Sequence, residues 1–113
     1  MTRLIIGAIL AIVIMVSLEA KADGGTRGND LWNSCNRPQQ IECSGYVTGV
    51  IEGFFLAEAE QKVSSIMCIP RGVANSQATS IVIKYLRENP SSRHKSASLL
   101  VVLAISEAFP CNN

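Results

Sequence analysis

Four cysteines are the feature that most constrains the fold of this chain of 113 residues. Their meaning depends on the N-terminal segment, because that segment indicates the compartment in which the chain folds. A run of fifteen uncharged, mainly apolar residues, 4–18, follows a basic start, and Ala20-Lys21-Ala22 then supplies the small-x-small pattern that signal peptidases accept. The sequence therefore predicts a signal peptide over residues 1–22 and export from a bacterial cytoplasm. The alternative is an uncleaved anchor, but the run is shorter than the roughly 20 apolar residues of a membrane span.

An even number of cysteines in a small exported domain is typical of a disulfide framework. The four cysteines form no Cys-x-x-Cys pair, and His94 is the only histidine, so a zinc site is not expected. The sequence allows three pairings. We favour Cys35 with Cys43, a short staple, and Cys68 with Cys111, which ties the middle of the chain to its end. From the chain entropy of the closed loops, these bridges would stabilise the fold by about 2.6 and about 4 kcal/mol, respectively. We therefore expect the bridges to be structural and not catalytic.

The spacing of apolar residues predicts an all-α fold, a compact bundle of about four helices stapled by disulfides, within residues 23–113. The predicted helices are a short one capped by Asn29 or Asp30, a second over Cys43–Val63, a third over Asn75–Glu88, and a fourth capped by Ser91 or Ser92. From Ala97 to Ile105 the fourth segment is apolar nearly all round, which is typical of a helix at the centre of a bundle.

Three glycines, Gly45, Gly49 and Gly53, repeat every four residues on the second predicted helix. Each costs up to about 1 kcal/mol relative to alanine in a helix interior, so three on one side call for compensation. Together they form a shallow groove in which another backbone can approach closely. We favour tight packing against another helix of the same chain. The alternative is the seam of a homodimer.

The charges after Ala22 balance at eight basic and eight acidic residues, without the basic excess of a protein that neutralises nucleic-acid phosphates. His94 is the sole imidazole, and no sequence motif places a nucleophile beside it. The sequence contains no glycine-rich phosphate loop and no cluster with metal-ligand spacing. We therefore predict neither catalytic residues nor a metal or cofactor, and do not expect an enzyme.

The turn between the third and fourth predicted helices, Arg87–Lys95, is polar, basic and stiffened by Pro90. A loop held between two rigid helices can dock into a partner's cleft at a low cost in ordering entropy. The alternative is a solvated connector without a partner.

Several short motifs follow in order along the chain and together resemble a known family. They are Asn29-Asp30-Leu31, Cys43-Ser-Gly-Tyr-Val-Thr-Gly-Val-Ile-Glu-Gly53, Cys68-Ile-Pro-Arg-Gly-Val73, Lys84-Tyr85-Leu86, Asn89-Pro90, Arg93-His94 and Ala108-Phe109-Pro110-Cys111. This series resembles the Rap/Tai family of type VI secretion immunity proteins over nearly the whole of residues 23–113. Two positions depart from the family pattern: Ala74, where a threonine is common, and Asn89, where a histidine often precedes the proline.

The resemblance implies a periplasmic helical protein that binds and blocks a secreted peptidoglycan amidase toxin by inserting a projecting loop into its active-site cleft. It also implies a homodimer. From the balanced charge we expect no nucleic-acid partner, and from cleavage of the signal peptide we expect no membrane association of the mature chain. By position, the expected contacts are Arg87, Glu88, Asn89, Pro90, Ser92, Arg93 and His94. The alternative is a periplasmic acid-stress chaperone or another small helical binding module. A single histidine and the absence of an acidic surplus argue against the chaperone.

Overall fold

The computed structural model describes residues 25–112, and the predicted signal peptide lies outside them. Within this range the chain forms four α-helices: α1 (Gly28–Cys35), α2 (Ile41–Gln61), α3 (Asn75–Glu88) and α4 (Ala97–Ala108). A short 3₁₀ turn, Pro90–Ser92, lies between α3 and α4. These residues contain no strand beyond one isolated bridge, and none of the four helices is long and apolar enough to cross a membrane. The predicted all-α bundle is confirmed.

The middle two helices lie close to their predicted positions. α3 has the predicted bounds, since Pro90 disfavours helical backbone in the residue before it. α2 begins two residues before Cys43 and ends two residues before Val63. Lys62 closes it with a left-handed backbone conformation (φ 52°).

The start of α1 differs from the predicted cap. Asn29 and Asp30 are expected to precede the helix, but both lie inside it, because α1 begins at Gly28. The first two amides of the helix, those of Gly28 and Asn29, donate hydrogen bonds to the carbonyls of Lys95 and Arg93 at 2.9 and 2.8 Å. A segment distant in sequence therefore accepts from these two amides, while the Asp30 carboxylate accepts from the Arg27 amide at 2.9 Å.

The predicted cap of the fourth helix is also wrong. Ser91 and Ser92 lie in the 3₁₀ turn, whereas α4 begins at Ala97 with Ser96 before it. The amide of Ala97 donates to the carbonyl of Thr26 at 2.9 Å. The segment before α1 therefore satisfies the start of α4, in the same way that the segment before α4 satisfies the start of α1.

The core lies where the four helices meet, and each helix packs against the other three. α4 contributes most to it, as its apolar composition predicts. Its buried residues are Ala97, Leu100, Val101, Ala104 and Ile105. The other side of α4 stays open, since Leu99 is 47% exposed and Leu103 is 39% exposed. Only one face of α4 is therefore buried in the core, although its sequence is apolar nearly all round.

The two favoured disulfides are confirmed. Cys35 and Cys43 join the end of α1 to the start of α2 with a Cα–Cα distance of 4.9 Å, and both are fully buried. Cys68 and Cys111 are 5.1 Å apart at Cα and join the connector before α3 to the segment after α4. The amide of Cys68 also donates to the carbonyl of Phe109 at 3.0 Å, so this end of α4 is held by a backbone bond as well.

The glycine stripe of α2 is not covered by another helix of the chain, contrary to the favoured interpretation. A Cβ atom added at Gly45, Gly49 or Gly53 would meet nothing within 4 Å. The core side of α2 is formed instead by Cys43 and Val47, which are fully buried. Within the single chain, the close approach that the three glycines permit is therefore unused.

Gly28, by contrast, lies where no side chain fits. A Cβ atom there would be 2.7 Å from the carbonyl oxygen of Arg93 and 2.9 Å from its Cα, and would also meet Leu100 Cδ1. Two backbone segments can approach this closely only because one residue has no side chain.

We expect Gly28→Ala to lower the free energy of unfolding by about 1–3 kcal/mol, because the added methyl group forces α1 away from residues 93–95. Urea denaturation followed by circular dichroism measures the change. Gly45→Ala is the matched control: its Cβ enters open space and alanine favours the helix, so stability should rise by up to about 1 kcal/mol. Equal effects of the two substitutions would contradict the close packing at Gly28.

Replacing both Cys68 and Cys111 with serine should lower the free energy of unfolding by about 4 kcal/mol, since the unfolded chain regains the entropy of a long loop. This is a large part of the about 5–15 kcal/mol that stabilises a typical domain. The measurement is a urea titration without reductant. A loss below about 1 kcal/mol would show that the bridge adds little to a fold already held by its core.

Candidate functional site

The seven residues predicted to contact a partner lie together on one continuous segment at the junction of α3 and α4. Arg87 and Glu88 form the last turn of α3, and the remaining five follow in the connection to α4. Four of the seven are exposed, and three are half-buried. The exposed four are Arg87, Glu88, Pro90 and His94, and the half-buried three are Asn89, Ser92 and Arg93. We call residues 87–95 the α3–α4 loop.

The exposed residues of the α3–α4 loop present charge and hydrogen-bonding groups to solvent. Glu88 lies 4.0 Å from Lys84 one turn earlier on α3, and both side chains are largely exposed, so this pair adds little to stability. The His94 ring donates from Nδ1 to the carbonyl of Ser91 at 3.0 Å. Because a carbonyl can only accept, Nδ1 carries the hydrogen, and Nε2 is left to accept a hydrogen bond from a partner when the ring is neutral.

Short hydrogen bonds within the segment hold the loop in one conformation. The Asn89 side chain and the Asn89 amide both donate to the carbonyl of Tyr85, at 2.9 and 3.0 Å, and close the end of α3. The amides of Ser92 and Lys95 donate to the carbonyls of Asn89 and Ser92, at 3.1 and 3.0 Å. The loop is therefore a series of tight turns rather than an extended strand.

Arg93 connects the α3–α4 loop to the rest of the fold. Its Nε donates to the carbonyl of Leu86 on α3 at 2.7 Å, and its guanidinium carbon lies 4.0 Å from the centre of the Trp32 ring on α1. Sequence reasoning did not identify Trp32 or Gly28 as supports of the loop. Nothing in the local pattern could have done so, because these residues lie more than fifty positions before the loop.

A second surface lies on the open side of α2 and α4. An apolar groove runs between the two helices and is floored by two of the three glycines; we call it the glycine groove. Its lining residues are Gly49, Val50, Gly53, Phe54, Ala57, Ile66, Ser98, Leu99 and Val102. Ile66 is 53% exposed, and Leu99 is nearly as open. Large apolar side chains concentrated around an open groove are typical of a surface that another chain covers.

Neither surface has the composition of a metal or catalytic site. In residues 25–112 no group of three or more His, Cys, Asp or Glu side chains could hold a metal ion. His94 donates to a backbone carbonyl rather than to a carboxylate, so its ring is not oriented as in a catalytic triad. The chemistry that the α3–α4 loop offers is hydrogen bonding, charge and shape.

A comparison with protein-family models matches residues 27–111 to the family described as Rap1a immunity proteins. No curated protein and no solved structure matches the chain significantly. The matched region starts at Arg27, directly before α1, and ends at Cys111, the last bridging cysteine.

The match therefore includes all four helices, both disulfides and the α3–α4 loop. It covers well over half of the chain and agrees with the resemblance that the ordered motifs indicate. The chain belongs to the Rap1a immunity protein family.

Proposed function

We propose that this protein is a periplasmic immunity protein that binds a peptidoglycan amidase effector of type VI secretion and occludes its active site. The observation that carries the proposal is the family match over residues 27–111, which contains the whole folded body and the α3–α4 loop. Immunity proteins of this kind protect a cell by binding a secreted effector. The amidase as the specific target comes from the resemblance of the ordered motifs.

The proposed mechanism is steric occlusion by the α3–α4 loop. Its seven predicted contact residues divide into two groups by exposure. Arg87, Glu88, Pro90 and His94 are exposed and are available to touch the effector, whereas Asn89, Ser92 and Arg93 are half-buried. A loop that is already folded loses little conformational entropy on binding, so more of the contact energy contributes to affinity. Its basic side chains suit a cleft lined by acidic groups.

The proposal is one of binding and not of catalysis. The effector would be inhibited because the loop excludes substrate from its active site, and no bond in the effector need be made or broken. This accounts for a site built from exposed polar side chains around Pro90.

Export to the periplasm is part of the proposal. The two disulfides support it, since such bridges persist in oxidising compartments. The predicted signal peptide over residues 1–22 would direct the export, and the mature chain would begin at Asp23. N-terminal sequencing of the protein recovered from periplasm tests the cleavage site directly.

Replacing Arg87 and His94 together with alanine should weaken inhibition of a type VI peptidoglycan amidase effector at least about tenfold, because two exposed contacts are lost while the fold is kept. The measurement is amidase turnover on purified peptidoglycan against inhibitor concentration.

Arg71→Ala is the matched control for this experiment. Arg71 is an exposed arginine on the connector between α2 and α3, which a disulfide holds near the far end of α4. It should inhibit as the unaltered protein does. Full inhibition by the Arg87/His94 variant would show that these two residues of the α3–α4 loop do not contribute to inhibition. Failure of the unaltered protein to inhibit would contradict the choice of effector.

We also propose that the protein forms a homodimer through the glycine groove. Gly49 and Gly53 have no atom within 4 Å of an added Cβ, so a second backbone can approach α2 closely there. Leu99 and Ile66 supply apolar area at the edges of the groove. A two-fold axis would place the same groove of a second copy against this one, and each copy would cover the other's exposed side chains.

A charge placed in the glycine groove should therefore separate the dimer. Leu99→Glu would bury a carboxylate in an apolar interface, so sedimentation at micromolar concentration should give a single chain where the unaltered protein gives two. Ile41→Glu is the control, because Ile41 is 73% exposed but lies outside the groove, at the start of α2. Dissociation by Ile41→Glu and not by Leu99→Glu would place the interface elsewhere.

A further inference from the structure

We infer that Arg93 is a positioning residue, which holds the α3–α4 loop in its binding conformation and does not itself touch the effector. This inference rests on the proposed function of the loop. It separates Arg93 from the six other residues that resemblance places at the contact. Three sets of interactions support it: a hydrogen bond to α3, a stack on α1, and two backbone contacts beside Gly28.

The Arg93 side chain closes the end of α3. In a continuing helix the carbonyl of Leu86 would accept a hydrogen bond from the amide of residue 90, but residue 90 is a proline and has no amide hydrogen. Arg93 Nε donates to this carbonyl at 2.7 Å in its place. A positive charge at the carboxyl end of a helix is also favourable, because the last carbonyls carry partial negative charge.

The same guanidinium lies against α1. Its central carbon is 4.0 Å from the centre of the Trp32 ring, within the distance of a cation–π contact. Trp32 is half-buried and packs against the hydrophobic core, so it forms a fixed surface for the guanidinium. One side chain of the loop therefore links the end of α3 to the middle of α1.

The backbone of Arg93 adds a third connection. Its carbonyl accepts the hydrogen bond from the amide of Asn29 at 2.8 Å, and the neighbouring Lys95 carbonyl accepts from Gly28 at 2.9 Å. The first amides of a helix have no partner within it, so these bonds satisfy groups that would otherwise be left unpaired. The absence of a side chain at Gly28 allows this approach, since a Cβ would be 2.7 Å from the Arg93 carbonyl oxygen.

These contacts leave Arg93 poorly placed to bind an effector. One face of the guanidinium is covered by Trp32, and Nε is already bonded to Leu86. An effector that engaged Nε or the covered face would have to break one of these contacts, which hold the loop. Arg87, in the same loop, is exposed and needs no such rearrangement.

Hydrogen exchange in the free protein tests the positioning role without any effector. In Arg93→Ala and in Trp32→Ala, the amides of Gly28, Asn29 and Lys95 should exchange about tenfold faster than in the unaltered protein. The amide of Val82, in the core of α3, reports global unfolding and should not change by the same factor. Arg87→Ala is the matched control and should leave all four rates unchanged.

Two milder variants keep the test decisive if an alanine variant does not fold. Arg93→Lys retains the charge but loses the planar guanidinium and its Nε, and Trp32→Phe retains an aromatic ring with a weaker attraction for the cation. Both should accelerate exchange of the same amides, by a smaller factor. Unchanged exchange in every variant that folds would overturn the inference.

Inhibition of the amidase effector separates positioning from contact. If Arg93 positions the loop, Trp32→Ala weakens inhibition as Arg93→Ala does. The double variant then inhibits as well as the poorer inhibitor of the two single variants, because both substitutions remove the same contact. If Arg93 touches the effector, Trp32→Ala retains full inhibition while Arg93→Ala loses it, which overturns the inference. If the unaltered protein does not inhibit the amidase, the proposed function is contradicted. Faster exchange in the Arg93 and Trp32 variants would still show that Arg93 holds the loop.

Discussion

The fold depends on a reciprocal backbone contact between residues 26–29 and residues 93–97. The amides of Gly28 and Asn29 at the start of α1 donate to carbonyls directly before α4, and the amide of Ala97 at the start of α4 donates to Thr26 directly before α1. Neither helix has a side-chain hydrogen bond from its N-cap residue. Each helix start is therefore stabilised by the segment that precedes the other helix, and loss of one contact weakens both.

The two disulfides add covalent connections near other helix ends. Cys35–Cys43 ties the end of α1 to the start of α2, and Cys68–Cys111 ties the segment after α4 to the connector before α3. α4 is thus held at its start by backbone pairing and at its end by a covalent bridge. A domain this small has a limited apolar core, so connections at the helix ends contribute much of the resistance to unfolding.

The parts of the fold that sequence predicts well are those set by local chemistry. α3 ends before Pro90 because that proline acts on its immediate neighbour, and the favoured cysteine pairs are found in the structure. The predicted helix caps are wrong: Asn29 and Ser92 are good local caps, but carbonyls of the opposite segment accept from the first helix amides instead. Likewise, the position of the α3–α4 loop follows from the sequence, whereas the support of Arg93 by Trp32 needs the three-dimensional fold.

The glycine groove and the α3–α4 loop are separate surfaces, and each could bind a different partner. None of the residues that line the glycine groove belongs to the α3–α4 loop, so dimerisation through the groove and binding through the loop would not compete for side chains. In such a dimer each copy would present its own loop, supported by contacts within its own chain. The side-chain contacts that hold Arg93 come from α1 and α3, and neither Trp32 nor Leu86 lines the groove, so affinity for an effector should be independent of dimer formation.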